Sequence, residues 1–363
     1  MKPLLAVISA LIFTFAVVAA VFTASQGESV RATHGSSHSR AQRYSRPRPA
    51  SVDAGFLPWN YDDPRPAFNV ANCSVLDGIY DLHPSKDAVL PLDKPAFIEA
   101  ADATWLTDQS PVLGLKIGEA SHCYPLAILN WHSLVHDTLA GQAVHVFFDP
   151  PSGLALARRA RAKSRPLGLS GYGYQGVGLT YERSNARLYD FLSGTYLNAK
   201  PASPDVYGAG DTDWLPLERM TWREWRRLHG NTLVLSRETG FPANYDLDPY
   251  TAAALGPGGA AEDYWSSDTI LAPDTLRDPA KSLRDKEWVL GVILAGKPHA
   301  IPLSALQADD ETQFTTAAGK LTIHSDPGAD RYYAVDAQGN QPPQARLFWF
   351  AWRAHYPQTT LLK

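Results

Sequence analysis

The sequence predicts an α+β fold, mostly antiparallel β with short helices, in which an internally duplicated unit follows an N-terminal hydrophobic helix. Three observations predict it. "VLGLKIGEASHCYPLAIL" (112–129) aligns without gaps to "VLGVILAGKPHAIPLSAL" (289–306), which sets His122 against His299 and Pro125 against Pro302, 177 positions apart. The same offset carries on to Asp149-Pro150 against Asp326-Pro327. "TWREWRRLHGNTLVL" (221–235) resembles "FWFAWRAHYPQTTLL" (348–362), with Trp222/Trp349, Trp225/Trp352 and Thr232/Thr359 each 127 apart. Three matching blocks in one order argue against chance, and the change of offset places an insertion at roughly 155–215 of the first copy. That insertion, "LGLSGYGYQGVGLTYERSNARLYDFLSGTYLNA", alternates Tyr and Thr between turn residues and reads as a β-meander.

The elements follow in order. Lys2 precedes an uncharged apolar run from Pro3 to Ala24, within a segment 1–25 that reads as a signal peptide or as a membrane anchor. A cleavage site after Val18-Ala19-Ala20 would suit the first; a run long enough to span would suit the second. Residues 26–58, rich in Ser, Arg, His and Pro, have no apolar period and read as a disordered basic linker. The first repeat unit with its insertion occupies 59–250, a connecting Ala/Gly/Pro-rich segment 251–282, and the second unit 283–363. In the first unit, Val112–Ile117 and Ser121–Tyr124 flank Gly118-Glu119 as a hairpin. Pro125 then suits the first turn of a helix, and "PLAILNWHSLVHD" continues a helical apolar pattern as far as Asp137. Ala140-Gly141 turns into the strand "AVHVFF", stopped by Asp149-Pro150-Pro151-Ser152-Gly153. Thr221-x-x-Glu224 is a capping box opening a helix through His229, which Gly230 ends before the strand "TLVLS".

The chain has 363 residues, 45% hydrophobic and 11% aromatic with ten Trp, a globular composition. Its net charge of −4 is uneven. Six cations against Glu28 make the first 50 residues +5, which leaves the remainder at −9. An acidic body offers no footprint for nucleic acid, so the expected partners are an unknown ligand or protein and, through the N-terminal segment, the membrane. Two cysteines, Cys73 and Cys123, can pair as a disulfide or stay apart as small buried hydrophobes. No nucleophile elbow occurs, and the glycine-rich "GYGYQGVG" lacks the following helix that a phosphate cradle needs.

"PAFIEAADATWL", "YPLAILNWHSLVHD", "SGYGYQGVGLTYER", "WREWRRLHGNTLVLSRETG" and "YDLDPY" resemble a bacterial family known as domain of unknown function 3179 (DUF3179), over roughly residues 90–362. The resemblance implies an exported or membrane-anchored protein of the bacterial cell envelope with no established biochemistry. It also implies a Cys-Pro-Leu-Cys-Gly turn where this chain has Asp149-Pro150-Pro151-Ser152-Gly153. Two close sulfurs can ligate a soft metal or cycle between dithiol and disulfide; Asp and Ser can do neither. Two further family motifs depart here as well. A Trp-His-Glu…Asn-Asp helix is replaced by Trp131-His132-Ser133…His136-Asp137, and a Trp-Ser-Gln by Tyr189-Asp190-Phe191.

The candidate site is therefore His132, Asp137, Asp149 and Ser152, with no catalytic role assigned. On the predicted helix His132 and His136 fall on one face, half of a zinc site, and Asp149 would add an oxygen ligand for a divalent metal. Ser133 stands where the metalloprotease pattern needs a Glu base. The expected function is a binding or scaffold module that has lost a thiol site, and the alternative is a metal-dependent enzyme or metal-binding protein using His132, His136 and Asp149.

Overall fold

The computed structural model describes residues 78–82, 86–160, 166–184, 186–197, 214–251, 263–306 and 310–363. The hydrophobic N-terminal segment, the basic linker and Cys73 lie outside them. Among the described residues no helix is long and apolar enough to cross a membrane.

The described chain is mostly antiparallel β with three short α-helices, Leu126–His132, Trp222–Leu228 and Trp349–His355. One long sheet runs, in spatial order, through Thr360–Leu361, Lys297–Pro302, Trp288–Leu294, Gln344–Phe348, Leu154–Arg159, Gln142–Asp149 and Leu134–Leu139. It joins N- and C-terminal segments edge to edge at Ala155 and Arg346. A second sheet orders Leu217–Thr221, Pro111–Ile117, Ala120–Pro125, Leu233–Leu235 and Phe97–Glu99. The meander Leu167–Tyr174, Val177–Glu182, Arg187–Asp190 and Thr195–Tyr196 forms a third, with Ile79–Asp81 on its edge.

The same pairing occurs twice. Leu115 faces His122 and Leu233 lies parallel to His122; Val292 faces His299 and Thr360 lies parallel to His299. Trp225 and Trp352, on the corresponding helices, lie over Gly114 and Gly291, where an added Cβ would stand 2.2 and 2.3 Å from the indole rings. Each indole N–H then donates to a threonine, Thr232 at 3.0 Å and Thr359 at 2.9 Å. Glycine is needed at both places so that a fully buried tryptophan can lie flat on the strand, where it contributes about 2–3 kcal/mol of burial. The three strands Leu134–Leu139, Gln142–Asp149 and Leu154–Arg159 also recur in pairing as Asp310–Thr316, Gly319–Asp326 and Arg331–Asp336.

One predicted element is corrected. The helix stops at His132, because Ser133 takes φ +58° and returns its N–H to Leu129 O. Leu134 and Val135 then enter a strand, held by Phe147 and Val146 opposite and by Leu92 alongside. His136 and Asp137 therefore sit on a strand, and His132 and His136 share no helix face. The second helix begins as predicted, with Thr221 Oγ1 accepting from Glu224 N–H, and ends at Leu228.

Candidate functional site

The turn after Gln142–Asp149 is fixed by its own residues. Pro150 and Pro151 cannot continue the ladder, and Gly153 closes the bend at φ +70°, where an added Cβ would meet the Trp288 ring at 2.5 Å. Ser152 Oγ donates a short hydrogen bond to Asp149 Oδ2 and accepts from Leu154 N–H at 3.2 Å. Gly178 N–H, from the meander, donates to the same carboxylate oxygen at 3.3 Å. Tyr264 OH donates to Pro151 O at 2.5 Å, and Phe348 N–H to Ser152 O at 2.8 Å. Four separate segments thus close over the turn, leaving Asp149 only 6% exposed and Ser152 fully buried. Burial pushes the Asp149 carboxyl up to about 6, against the pull of its hydrogen bonds from Ser152 and Gly178. The same charge adds to burial in raising the phenols of Tyr80, Tyr250 and Tyr264.

A second acid is also buried. Asp190, at the end of a meander strand, accepts from Ser193 Oγ at 2.5 Å and Leu192 N–H at 3.1 Å. His355, the last residue of the C-terminal helix, donates from Nδ1 to Ala351 O at 3.0 Å and holds Nε2 3.4 Å from Asp190 Oδ2. That separation makes an ion pair without a well-aligned hydrogen bond. Asp190 draws the His355 pKa up against the opposing effect of burial, and His355 holds Asp190 below the usual carboxylate range. The imidazolium also lowers the pKa of Asp149. Two buried carboxyls thus feel one cation.

The other predicted residues lie elsewhere. His132 has Nδ1 2.8 Å from Leu90 O and Nε2 2.6 Å from Tyr245 OH. The carbonyl can only accept, so in the neutral ring Nδ1 carries the proton and Nε2 accepts from the tyrosine. Asp137 accepts from Tyr124 OH at 2.5 Å and Thr138 N–H at 2.6 Å, and sits 2.6 Å from His122 Nδ1. His136 meets His145, Nδ1 to Nδ1 at 2.8 Å, and reaches Leu167 O with Nε2. Burial lowers the pKa of both, that of His145 to about 3. Of the predicted set the fold brings Asp149 and Ser152 together; it holds His132 and His136 on different partners, their ring nitrogens already used. Among the described residues no three of His, Cys, Asp and Glu converge as a metal site. Among the described residues Cys123 is a buried free thiol with no disulfide partner, its pKa raised by burial.

The family described as protein of unknown function, DUF3179, matches residues 86–359. The chain belongs to this family. No curated protein and no solved structure matches. Within this DUF3179 chain, sequence reasoning found the Asp149 turn from its proline and glycine chemistry. It missed His355, the three tyrosines and His145. His355 shows only as a basic residue ending a helix, the ordinary complement to a helix C-terminus, so nothing local marks it as the partner of Asp190.

Proposed function

We propose that this DUF3179 protein belongs to the cell envelope and works by binding, with no thiol chemistry at the 149–153 turn. One observation carries the reading: Asp149 and Ser152, at the positions where the family resemblance implies two cysteines, hydrogen-bond to each other inside a closed turn. A hydroxyl donor and a carboxylate acceptor reproduce the bridge between the two positions and supply no electrons. The carboxyl is a hard ligand satisfied by its neighbours, which also disfavours a soft metal. Export through the 1–25 segment, as a cleaved signal or an anchor, belongs to the same reading. So does descent of 59–250 and 283–363 from one duplicated unit, which the matched registers at His122 and His299 support.

Two measurements test it. The wild-type chain should not accelerate dithiothreitol-driven insulin reduction, whereas the double variant Asp149→Cys/Ser152→Cys should acquire a titratable dithiol. Acceleration by the wild-type chain would overturn the reading. After expression in a Gram-negative host, the chain should fractionate with membranes or periplasm; recovery in the cytosol would overturn its envelope part.

A further inference from the structure

Away from the Asp149 turn, a cavity of about 560 Å³ lies between the segment Trp214–Glu218 and the loop Asn340–Gln344. Its volume suits a small ligand. Its walls are rigid. Trp214 pairs with Arg158 across the strand, and the Arg158 guanidinium covers the indole 4.9 Å from its centre. Arg158 is itself fixed by Phe191 O and Leu192 O, both at 2.8 Å. The Gln344 amide bonds the Ala334 backbone in both directions, and Glu218 is held by Arg331 at 2.7 Å. Further round, the rings of Trp225 and His229 lie 4.1 Å apart.

Into this frame face groups that the fold does not use. Lys116 and Asn340 are exposed at its rim, and neither the ammonium nor the side-chain amide has a partner among the described residues. Gln341 is exposed and makes one long contact, to Gln344 at 3.4 Å. Burial and Lys116 both lower the His229 pKa, favouring a neutral imidazole that can donate and accept. The part-exposed Trp214 ring, planar amides and one unpaired cation form a definite chemical set. A purely apolar ligand would strand the amides and Lys116 without partners.

We propose that this cavity binds an acidic saccharide, with a sugar ring against the tryptophan surface, hydroxyls on Asn340 and Gln341, and a carboxylate on Lys116. The inference rests on the binding reading above and names a ligand class and a place for it. The test is calorimetric titration of the full chain with a short oligogalacturonate and with its methyl ester. The acid should bind, and the ester about five-fold or more weaker. Trp214→Ala should lower affinity at least about ten-fold, and Lys116→Gln should remove the preference for the acid. If Trp214→Ala fails to fold, Asn340→Ala/Gln341→Ala on the exposed loop, with unchanged melting, should still weaken binding about five-fold. Absence of binding at millimolar oligogalacturonate, or wild-type affinity in Trp214→Ala or the loop double variant, overturns the proposal. The insulin and fractionation results would stand in either case, so the two readings fail separately.

Discussion

The turns at Asp149 and Asp326 share one backbone and two environments. Each ends the middle strand of a three-stranded run with Asp-Pro, and each bends through positive φ four residues after the aspartate, at Gly153 (+70°) and Asp330 (+54°). Around Asp326 the bend is open. Pro327 and Gly328 are exposed, and the carboxylate caps Ala329 N–H at 2.9 Å. The residue at positive φ is itself an aspartate, reaching Arg219 at 3.1 Å and Arg346 at 2.5 Å. Around Asp149 the meander, Tyr264 and the C-terminal helix segment have closed in. A carboxylate that elsewhere caps a turn near water is here held in a low-dielectric interior, within the field of His355. The meander makes the difference, since its Gly178 N–H donates directly to Asp149.

The comparison breaks first at Gly153. Alanine there takes on an unfavourable φ and must also displace the Trp288 indole, 2.5 Å from the new Cβ. Gly153→Ala should cost about 3 kcal/mol, from strain and overpacking together. Asp330→Ala starts from a non-glycine residue already at positive φ and displaces no ring, so it should cost less, about 1–2 kcal/mol, through the lost contacts to two part-buried arginines. Urea unfolding of both variants decides it. Equal losses would mean that burial does not distinguish the two turns.

The next effect is one of pH. In the folded chain Asp149 keeps its proton up to about pH 6; in the unfolded chain it loses it near 3.8. Its contribution to stability is therefore fully present below about 3.8 and lost as pH rises through about 6, a difference of roughly 3 kcal/mol by pH 7.5. Asp149→Asn removes that loss while keeping an acceptor for Ser152. The variant should be about 1–3 kcal/mol more stable than wild type at pH 7.5, with the gap closing toward pH 4. Asp326→Asn, one good cap for another, should change stability little. The His355–Asp190 pair runs in a different window. Its stabilisation is complete between the unfolded values of the two groups, fading only when acid protonates Asp190 below its ordinary range or base neutralises His355 above its own. Melting curves from pH 4 to 8 check all three, and a wild-type profile in Asp149→Asn would show that this carboxylate is not the buried acid described.

Much of this was legible in the chain because its signals are local. The Gly118 hairpin, the Thr221 cap, the meander turns and the Asp149 bend each depend on a few adjacent residues, whose φ preferences or hydrogen bonds act over one turn. The run from Ser133 to Asp137 was not legible. Leu134 and Val135 fit a helical stripe as well as a strand, and the choice was made by Leu92, Val146 and Phe147, which lie outside the run. The same holds for the site. Asp149 and Ser152 are three residues apart and announce themselves, whereas Asp190 and His355 meet only after the C-terminal helix packs beside the meander. Two histidines at helical spacing suggested a metal; once the helix ended at His132, their geometry had no basis.

The smallest expected effect separates the two strand-covering tryptophans, Trp225 and Trp352. Trp225 and Trp352 are both fully buried over a strand glycine, and each gives its indole N–H to a threonine. The threonines differ in surroundings. Thr232 is fully buried and its hydroxyl also reaches Ser121 O at 3.1 Å, while Thr359 is half-exposed beside the chain end. Valine preserves shape at either position and removes the acceptor. Thr232→Val strands a donor that water cannot reach, together with the Ser121 carbonyl, and should cost about 1–2 kcal/mol. Thr359→Val leaves its indole near solvent, which can take the hydrogen bond, and should cost less than about 1 kcal/mol. Urea midpoints at one pH measure both. Equal losses would mean that solvent is excluded from both tryptophan edges, so that burial, which separates the two aspartate turns, does not separate the tryptophan sites.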